Sequence, residues 1–306
     1  MHRFLLSRVR WIIGATLAAL LLAGCGSVLR IGYGQGPTLA YWWLDGYLDL
    51  DGAQSARLRE GLDQWFEWHR RTQLPDYAQA LARAQREVML PTTAAAMCGW
   101  RDELQRRLDI AVEQAAPVLA SLMVTLTPAQ LRHLEARLGK NGAEMRGDFA
   151  QADRTDRAQA SFKRTLERYE MIYGRLDDAQ RARLAQALAA SPFDADRWLA
   201  ERERRNADLV RALGAVAASG DMTQAQATVR MLAERAVRSP RADYRAYQER
   251  LTRENCALAA EMHNLMTPAQ RSHARHKLRA WEEDLRLLVA SPVSGANGAA
   301  LGGSSR

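Results

Sequence analysis

Four short segments of this chain share a pattern that is typical of the first turn of an α-helix. In each segment an apolar residue precedes Asp or Thr, and Gln follows three residues after that Asp or Thr. Asp or Thr at the N-cap accepts a hydrogen bond from a free backbone amide, and Gln three residues later accepts the N-cap amide, which completes a capping box. The eight residues are Asp51 and Gln54, Thr127 and Gln130, Asp177 and Gln180, and Thr267 and Gln270. The pattern therefore predicts four helix starts.

Apolar residues between these segments also recur with helical spacing. One stripe follows i, i+4, i+7 and i+8, and it consists of Leu58, Leu62, Trp65 and Phe66. Pro91 opens a long helix towards Val124 with Pro117 as a candidate interruption, and residues 141–163 are predicted to form one exposed helix. No segment of the body alternates like a strand. The sequence therefore predicts an all-α fold, an elongated or bilobed multi-helix bundle over residues 38–289.

Residues 1–24 follow the order of a secretory signal. Arg3, Arg8 and Arg10 precede an apolar run over residues 11–23, which is shorter than the ~20 apolar residues of a permanent membrane helix. The run ends in Leu22-Ala23-Gly24-Cys25, which resembles the lipobox of bacterial lipoproteins. That resemblance implies that residues 1–24 are removed and that Cys25 is acylated. The alternative is an ordinary cleaved signal with a cysteine nearby.

The two ends of the mature chain differ from its body in composition. Residues 25–37 are rich in glycine and are predicted to form a lipidated, flexible tether. Residues 290–306 contain mainly Gly, Ser and Ala without periodicity, and they are predicted to form a disordered tail. Gly26 and Ser27 follow Cys25, and no Asp occupies the position that retains lipoproteins at the inner membrane. The resemblance therefore implies the periplasmic face of the outer membrane.

Two cysteines, Cys98 and Cys256, remain after the anchor. An exported protein folds in an oxidising compartment, where a pair of cysteines favours a disulfide. Such a bond would join the early and late halves of the chain. The alternative is two separately buried thiols.

Five aromatic residues lie close to the predicted anchor: Tyr33, Tyr41, Trp42, Trp43 and Tyr47. Their amphipathic rings would suit the head-group level of a membrane. They would equally suit the interior of the body. Trp43 and Tyr47 lie four residues apart and would form the inner stripe of the first helix, while Trp42 would cover a neighbouring element. We favour the interior, since a capped helix follows at once and the body needs aromatic anchors.

No motif for catalysis or cofactor binding is found. His273 and His276 lie three residues apart on one predicted helical face with His263 three turns earlier, but no third metal ligand is obvious and surface histidines are favoured. Asp45, Asp49 and Asp51 form the densest acidic cluster, and residues 49–52 resemble the start of a calcium loop that lacks its remaining ligands. Capping by Asp51 and solvent exposure of the other two are therefore favoured. We therefore predict no metal, no other cofactor and no enzymatic activity.

The ordered motifs of the mature chain resemble an uncharacterised family of proteobacterial lipoproteins, a domain of unknown function. The matching segments are Tyr41–Asp45, Tyr47–Asp51, Trp68–Arg70, Leu74–Ala78, Tyr173–Leu176 with Gln180, Asp196–Trp198 with Arg202, Arg204 and Arg205, and Leu265–Arg271. A weaker, local resemblance links the capping segments to Spy-like periplasmic chaperones, which repeat Leu-Thr-x-x-Gln. Leu126–Gln130 matches that pattern fully, Met266–Gln270 replaces the leucine, and the other two copies replace the threonine with aspartate.

These observations predict a membrane-tethered periplasmic lipoprotein that is non-enzymatic and protein-binding or chaperone-like. The alternatives are a structural envelope scaffold and, less favoured, a hydrolase with an unrecognised site. Expected partners are the membrane, through the lipid anchor, and other envelope proteins. Nucleic acid is excluded by the compartment and because acidic residues interleave with the basic ones despite a net charge of +8. The capping glutamines are either plain caps or parts of a binding surface.

Overall fold

The computed structural model describes residues 32–291, which are 86% helical and contain no strand. The all-α prediction is therefore confirmed. Eleven α-helices follow one another in the described range: α1 Gly36–Leu48, α2 Gly52–Trp68, α3 Leu74–Glu87, α4 Ala94–Met123, α5 Pro128–Phe149, α6 Arg154–Tyr173, α7 Asp178–Ala189, α8 Ala195–Ser219, α9 Met222–Val237, α10 Ala242–Asn264 and α11 Pro268–Ala290. A π-helix, His69–Gln73, joins α2 to α3. The predicted signal, Cys25 and most of the predicted tail lie outside the described residues.

The helical body begins before residue 38. Residues 32–34 already form a helical turn, and α1 starts at Gly36 with Pro37 in its first turn. Tyr33 explains this early start, because its ring packs edge-on against Phe66 and its hydroxyl lies 2.9 Å from His69 Nδ1. The last residues of the predicted tether, 32–37, therefore belong to the body.

Two helix boundaries differ from the prediction. Helix α4 continues through Pro117, although proline removes one backbone hydrogen bond there, because Ala116 and Ala120 on either side of it are fully buried. The predicted single helix over 141–163 is two helices. α5 ends at Phe149, and the Asp153 side chain accepts from the backbone amides of Thr155 and Asp156 to start α6.

The buried apolar side chains form two clusters, which we call the first core and the second core. The first core combines side chains of α1, α2, α4, α5, α8 and α9, among them Tyr41, Leu58, Ala116, Leu134, Val216 and Val229. The second core is smaller and consists of Leu176, Leu184, Met262 and Met266 with partly buried residues of α6 around them. Gly61 lets α2 approach α4 within the first core, because a Cβ at this position would lie 2.1 Å from Val118 Cγ2.

A disulfide joins Cys98 of α4 to Cys256 of α10 across 158 residues of sequence, with 5.4 Å between the two Cα atoms. Helix α4 contributes to the first core, and α10 contributes Met262 to the second. The two halves of the body are therefore covalently connected. No helix between residues 32 and 291 is both long enough and apolar enough to cross a membrane.

Candidate functional site

All four predicted capping boxes are present. At each helix start the Asp or Thr side chain accepts the amide of the Gln three residues later, and that Gln side chain accepts the N-cap amide. The four helix starts therefore form as their residue types predict. What the four starts do with one another is decided by the fold.

The starts of α2 and α5 meet through their glutamines. Gln130 Nε2 donates to Gln54 Oε1 at 2.6 Å and to the carbonyl of Asp49 at 3.0 Å. In return, Gln54 Nε2 donates to the carbonyl of Thr125 at 2.9 Å and lies 3.3 Å from Gln130 Oε1. We call Asp51, Gln54, Thr127 and Gln130 the first glutamine clasp.

The starts of α7 and α11 repeat this arrangement contact by contact. Gln180 Nε2 donates to Gln270 Oε1 at 2.8 Å and to the carbonyl of Leu265 at 2.9 Å. Gln270 Nε2 donates to Gln180 Oε1 and to the carbonyl of Arg175, both at 2.9 Å. Asp177, Gln180, Thr267 and Gln270 form the second glutamine clasp. In both clasps each glutamine donates to a backbone carbonyl of the partner helix start. That carbonyl belongs to the residue two positions before the N-cap of the partner helix.

Each clasp satisfies its glutamine amides completely. A primary amide offers two donor hydrogens and two acceptor positions, and in the clasps all four are used within the chain. Gln54, Gln130 and Gln180 are also buried. Their side chains are therefore not exposed to a partner, and the observed role of the capping glutamines is to hold distant helix starts together.

His263 is buried, although the sequence suggested a surface position. Its Nδ1 lies 2.9 Å from the Tyr173 hydroxyl and its Nε2 lies 2.7 Å from the carbonyl of Leu90. Only a protonated Nε2 can donate to that carbonyl, so Nδ1 accepts from Tyr173. Burial lowers the pKa of the imidazole below its ordinary value. Cys256, Ala260 and His263 follow i, i+4 and i+7, a buried stripe that would have located this histidine.

His69 lies in a cluster of aromatic rings at the π-helix. Its ring stacks on Trp65 at 4.8 Å between centroids, and Tyr77 meets it edge-on at 5.4 Å. Burial lowers the pKa of the His69 imidazole and raises the pKa of the neighbouring Tyr33 hydroxyl to about 12. Both groups are therefore neutral near pH 7, and the cluster is an element of packing.

The acidic residues considered for calcium have other roles. Asp45 Oδ1 accepts the amide of Leu50 at 3.0 Å, and Asp51 caps α2. His273 and His276 are exposed on α11. Within residues 32–291 no group of three or more His, Cys, Asp or Glu side chains is placed to hold a metal ion.

A buried carboxylate, which the sequence did not single out, lies between α8 and the start of α10. Glu201 is fully buried, and its Oε1 accepts from the Ser239 hydroxyl at 2.6 Å and from Arg241 at 3.2 Å. Arg241 also binds Asp208 at 2.8 Å. The Glu201 carboxylate is thus paired with Arg241 and shielded from solvent. The network connects α8 to the start of α10.

An open groove lies between the antiparallel helices α5 and α8. The helices are close where Gly214 faces Leu131, since a Cβ on Gly214 would lie 3.6 Å from Leu131 Cδ1. Further along, a groove of about 470 Å³ has an apolar floor and a charged rim, and its lining includes Leu138, Gly139, Gly142, Ala207, Val210 and Glu203. A Cβ on Gly139 or Gly142 would meet nothing within 4 Å, so these glycines leave the groove empty.

Helix α1 presents an apolar face to solvent. Leu39, Trp42, Trp43 and Gly46 follow i, i+3, i+4 and i+7, and we call them the exposed stripe. Trp42 and Trp43 are 62% and 64% exposed, while Tyr41 on the opposite face is buried in the first core. The interior position expected for Trp43 is therefore wrong. Its ring does contact Tyr47, at 5.0 Å between centroids, but it does so on the outside of the helix.

A protein-family model matches the larger part of the chain. The model of a family of unknown function, DUF6279, matches residues 46–245. That range contains the first glutamine clasp and the groove, and it stops before Thr267, Gln270 and Cys256. No curated protein and no solved structure matches the chain. Because the family match covers well over half of the sequence, the chain belongs to this family of unknown function.

Proposed function

We propose that the chain is a non-enzymatic, protein-binding lipoprotein that Cys25 anchors on the periplasmic face of the outer membrane. In this proposal the groove between α5 and α8 receives an apolar segment of another envelope protein. The open groove is the observation that carries the binding role. The lipobox resemblance and the secretory signal carry the anchor and the location.

The lining of the groove suits a peptide segment. Leu138, Ala207 and Val210 supply apolar surface, and the two glycines let a backbone come close. Arg146 at the rim forms an ion pair with Glu203 at 2.9 Å, so both signs of charge border the floor. Apolar contacts on the floor would provide affinity, and the rim would orient the segment.

Filling the groove tests this role. A photo-crosslinking amino acid at Ala143, in the lining, should form a defined adduct with an envelope protein in intact cells. Gly139→Leu should abolish that adduct because its side chain enters the groove without a clash. Gly147→Leu is the matched control, since Gly147 is also an exposed α5 glycine with open space around it. An adduct that persists in Gly139→Leu, or its absence from the wild type, would contradict the binding role and favour an envelope scaffold.

The anchor has a separate test. Cells fed labelled palmitate should transfer the label to the wild-type chain. Cys25→Ser should leave the precursor unprocessed and unlabelled, because the acceptor thiol is missing. Normal processing of Cys25→Ser would show that the lipobox resemblance is accidental.

A further inference from the structure

We propose that the exposed stripe of α1 lies in the head-group region of the lipid bilayer that holds the anchor. This inference rests on the proposed acylation of Cys25. It goes beyond that proposal because it assigns a second contact with the membrane and hence an orientation of the helical body on it. The proposed occupant of the stripe is a phospholipid surface.

The geometry of α1 separates its two faces cleanly. Tyr41 and Leu48 are buried in the first core, and Leu44 packs against it, so rotation of the helix is fixed. Leu39, Trp42 and Trp43 then point outwards with 52%, 62% and 64% exposure, and the stripe contains no charged residue. Indole rings favour the boundary between hydrocarbon and water, because the ring is apolar and its N–H still finds a polar partner there.

The anchor brings this face to the membrane. Only residues 26–31 separate Cys25 from the described body, and the seven residue steps from Cys25 to residue 32 span at most about 25 Å even when fully extended. The aromatic face of α1 follows directly after that connection. A bilayer is therefore the apolar surface that the stripe reaches without any additional partner.

A positive charge beside the stripe complements a phospholipid surface. The Arg59 guanidinium lies over the Tyr41 ring at 3.4 Å, and that of Arg137 lies 5.7 Å from the Tyr47 ring centroid. Both arginines are exposed, and they come from the two helices that flank α1, α2 and α5. Arg137, beside Tyr47 and the stripe, can bind a lipid phosphate while the stripe contacts the acyl boundary, whereas Arg59 covers Tyr41 on the opposite face of α1. The nearby Asp45 carboxylate accepts a hydrogen bond from the backbone amide of Leu50.

A fluorescent label on the stripe tests the proposal. Gly46→Cys adds one free thiol to the full, acylated chain, because Cys98 and Cys256 are bonded to each other and Cys25 carries lipid. An environment-sensitive dye on this thiol should shift its emission to the blue when the chain is placed in phosphatidylcholine vesicles, and spin-labelled lipid should quench it. Gly147→Cys is the matched control, since it is also an exposed helical glycine with open space, and its dye should show neither change.

A second pair of variants addresses the indoles themselves. Trp42→Ser with Trp43→Ser should remove the blue shift at Gly46→Cys, whereas Leu104→Ser with Leu108→Ser should leave it unchanged. The second pair is matched because Leu104 and Leu108 are similarly exposed, at 59% and 51%, and lie on α4. All four side chains are exposed, so circular dichroism should show the same helix content in every variant.

The outcomes distinguish this inference from the proposed function. Palmitate-labelled protein whose dye shows no shift in vesicles would overturn the stripe contact and leave the lipoprotein proposal intact. A chain that is not labelled would overturn the anchor itself. A shift that rises with the protein-to-lipid ratio, or that appears without vesicles, would overturn the inference and identify a second copy of the chain as the occupant.

Discussion

The two glutamine clasps use the same hydrogen bonds in different surroundings. In the first clasp both glutamines are buried, with 1% exposure for Gln54 and 7% for Gln130. In the second clasp Gln180 is buried, but Gln270 is only partly buried and Thr267 is exposed. The first clasp borders the large first core and the second borders the small second core.

This difference in burial should give the same hydrogen bonds a different contribution to stability in the two clasps. A hydrogen bond contributes little net stability where water can replace it, but an unpaired polar atom in a dry interior is costly. Disruption of the first clasp should therefore destabilise the protein more than the same change in the second. The second clasp has a different vulnerability, because Met266, next to its N-cap, packs in the same turn as the buried His263.

The largest expected loss of stability comes from removal of the disulfide that connects the two halves of the body. Cys98→Ser with Cys256→Ser should lower the free energy of unfolding by up to about 5 kcal/mol, because the 158-residue loop is no longer closed in the unfolded chain. Without the bond, the second core should unfold at a lower urea concentration than the first. Urea titration of oxidised and variant protein measures this, and a single unchanged transition would contradict it. Non-reducing electrophoresis checks the bond directly.

Replacement of a glutamine amide by a carboxylate tests the expected difference in stability between the clasps. Gln54→Glu places a carboxylate without donors among acceptors in a buried site, and it should lower the unfolding free energy by about 3–5 kcal/mol. Gln270→Glu makes the same change where water reaches the side chain, and about 1–2 kcal/mol is expected. Chemical denaturation of both variants at pH 7 gives the two values. Equal losses would show that burial does not distinguish the clasps.

Acidification should destabilise the region of the second clasp through His263. Burial is the main cause of the lowered pKa of His263 in the folded chain, and the charge of Arg271 adds to it. The unfolded chain therefore takes up a proton first, and stability that is present above pH 6.5 is lost as the pH falls towards the folded pKa.

His263→Gln should flatten this pH dependence, because glutamine does not titrate. His69 contributes a similar slope from the first half, since burial also lowers its pKa, so His69→Gln is the matched variant. Stability curves from pH 7.5 to about 5 test both. Curves that remain parallel to the wild type in both variants would exclude these histidines as the source.

The smallest effects are expected at the cap hydroxyls. Thr127 and Thr267 both accept the amide of their glutamine, at 3.3 and 3.2 Å, and both are exposed. Thr127→Ala and Thr267→Ala should each lower stability by about 1 kcal/mol, and here the two clasps should behave alike. Thermal unfolding suffices to compare them. A much larger loss for Thr127→Ala would mean that its hydroxyl also supports the buried glutamine pair.

Several features of the fold were predictable because they depend on neighbours in the sequence. The capping boxes at Asp51, Thr127, Asp177 and Thr267 involve atoms only three residues apart, so their residue types suffice to predict them. Helical periodicity likewise predicts the all-α class. Pro117 and Trp43 differ from the prediction, because the contacts of a whole helix with the rest of the body outweigh the local preference of one side chain.

The sequence by itself thus determined where four helices start, which fold class they build and which two cysteines were available for a disulfide. Only the tertiary structure decided that Gln54 meets Gln130 and that Gln180 meets Gln270, because those contacts join helix starts 76 and 90 residues apart. It also decided that His263 is buried, that two tryptophans face outwards and that α5 and α8 leave a groove. Each of these depends on which helix lies opposite, and local propensity and periodicity carry no such information.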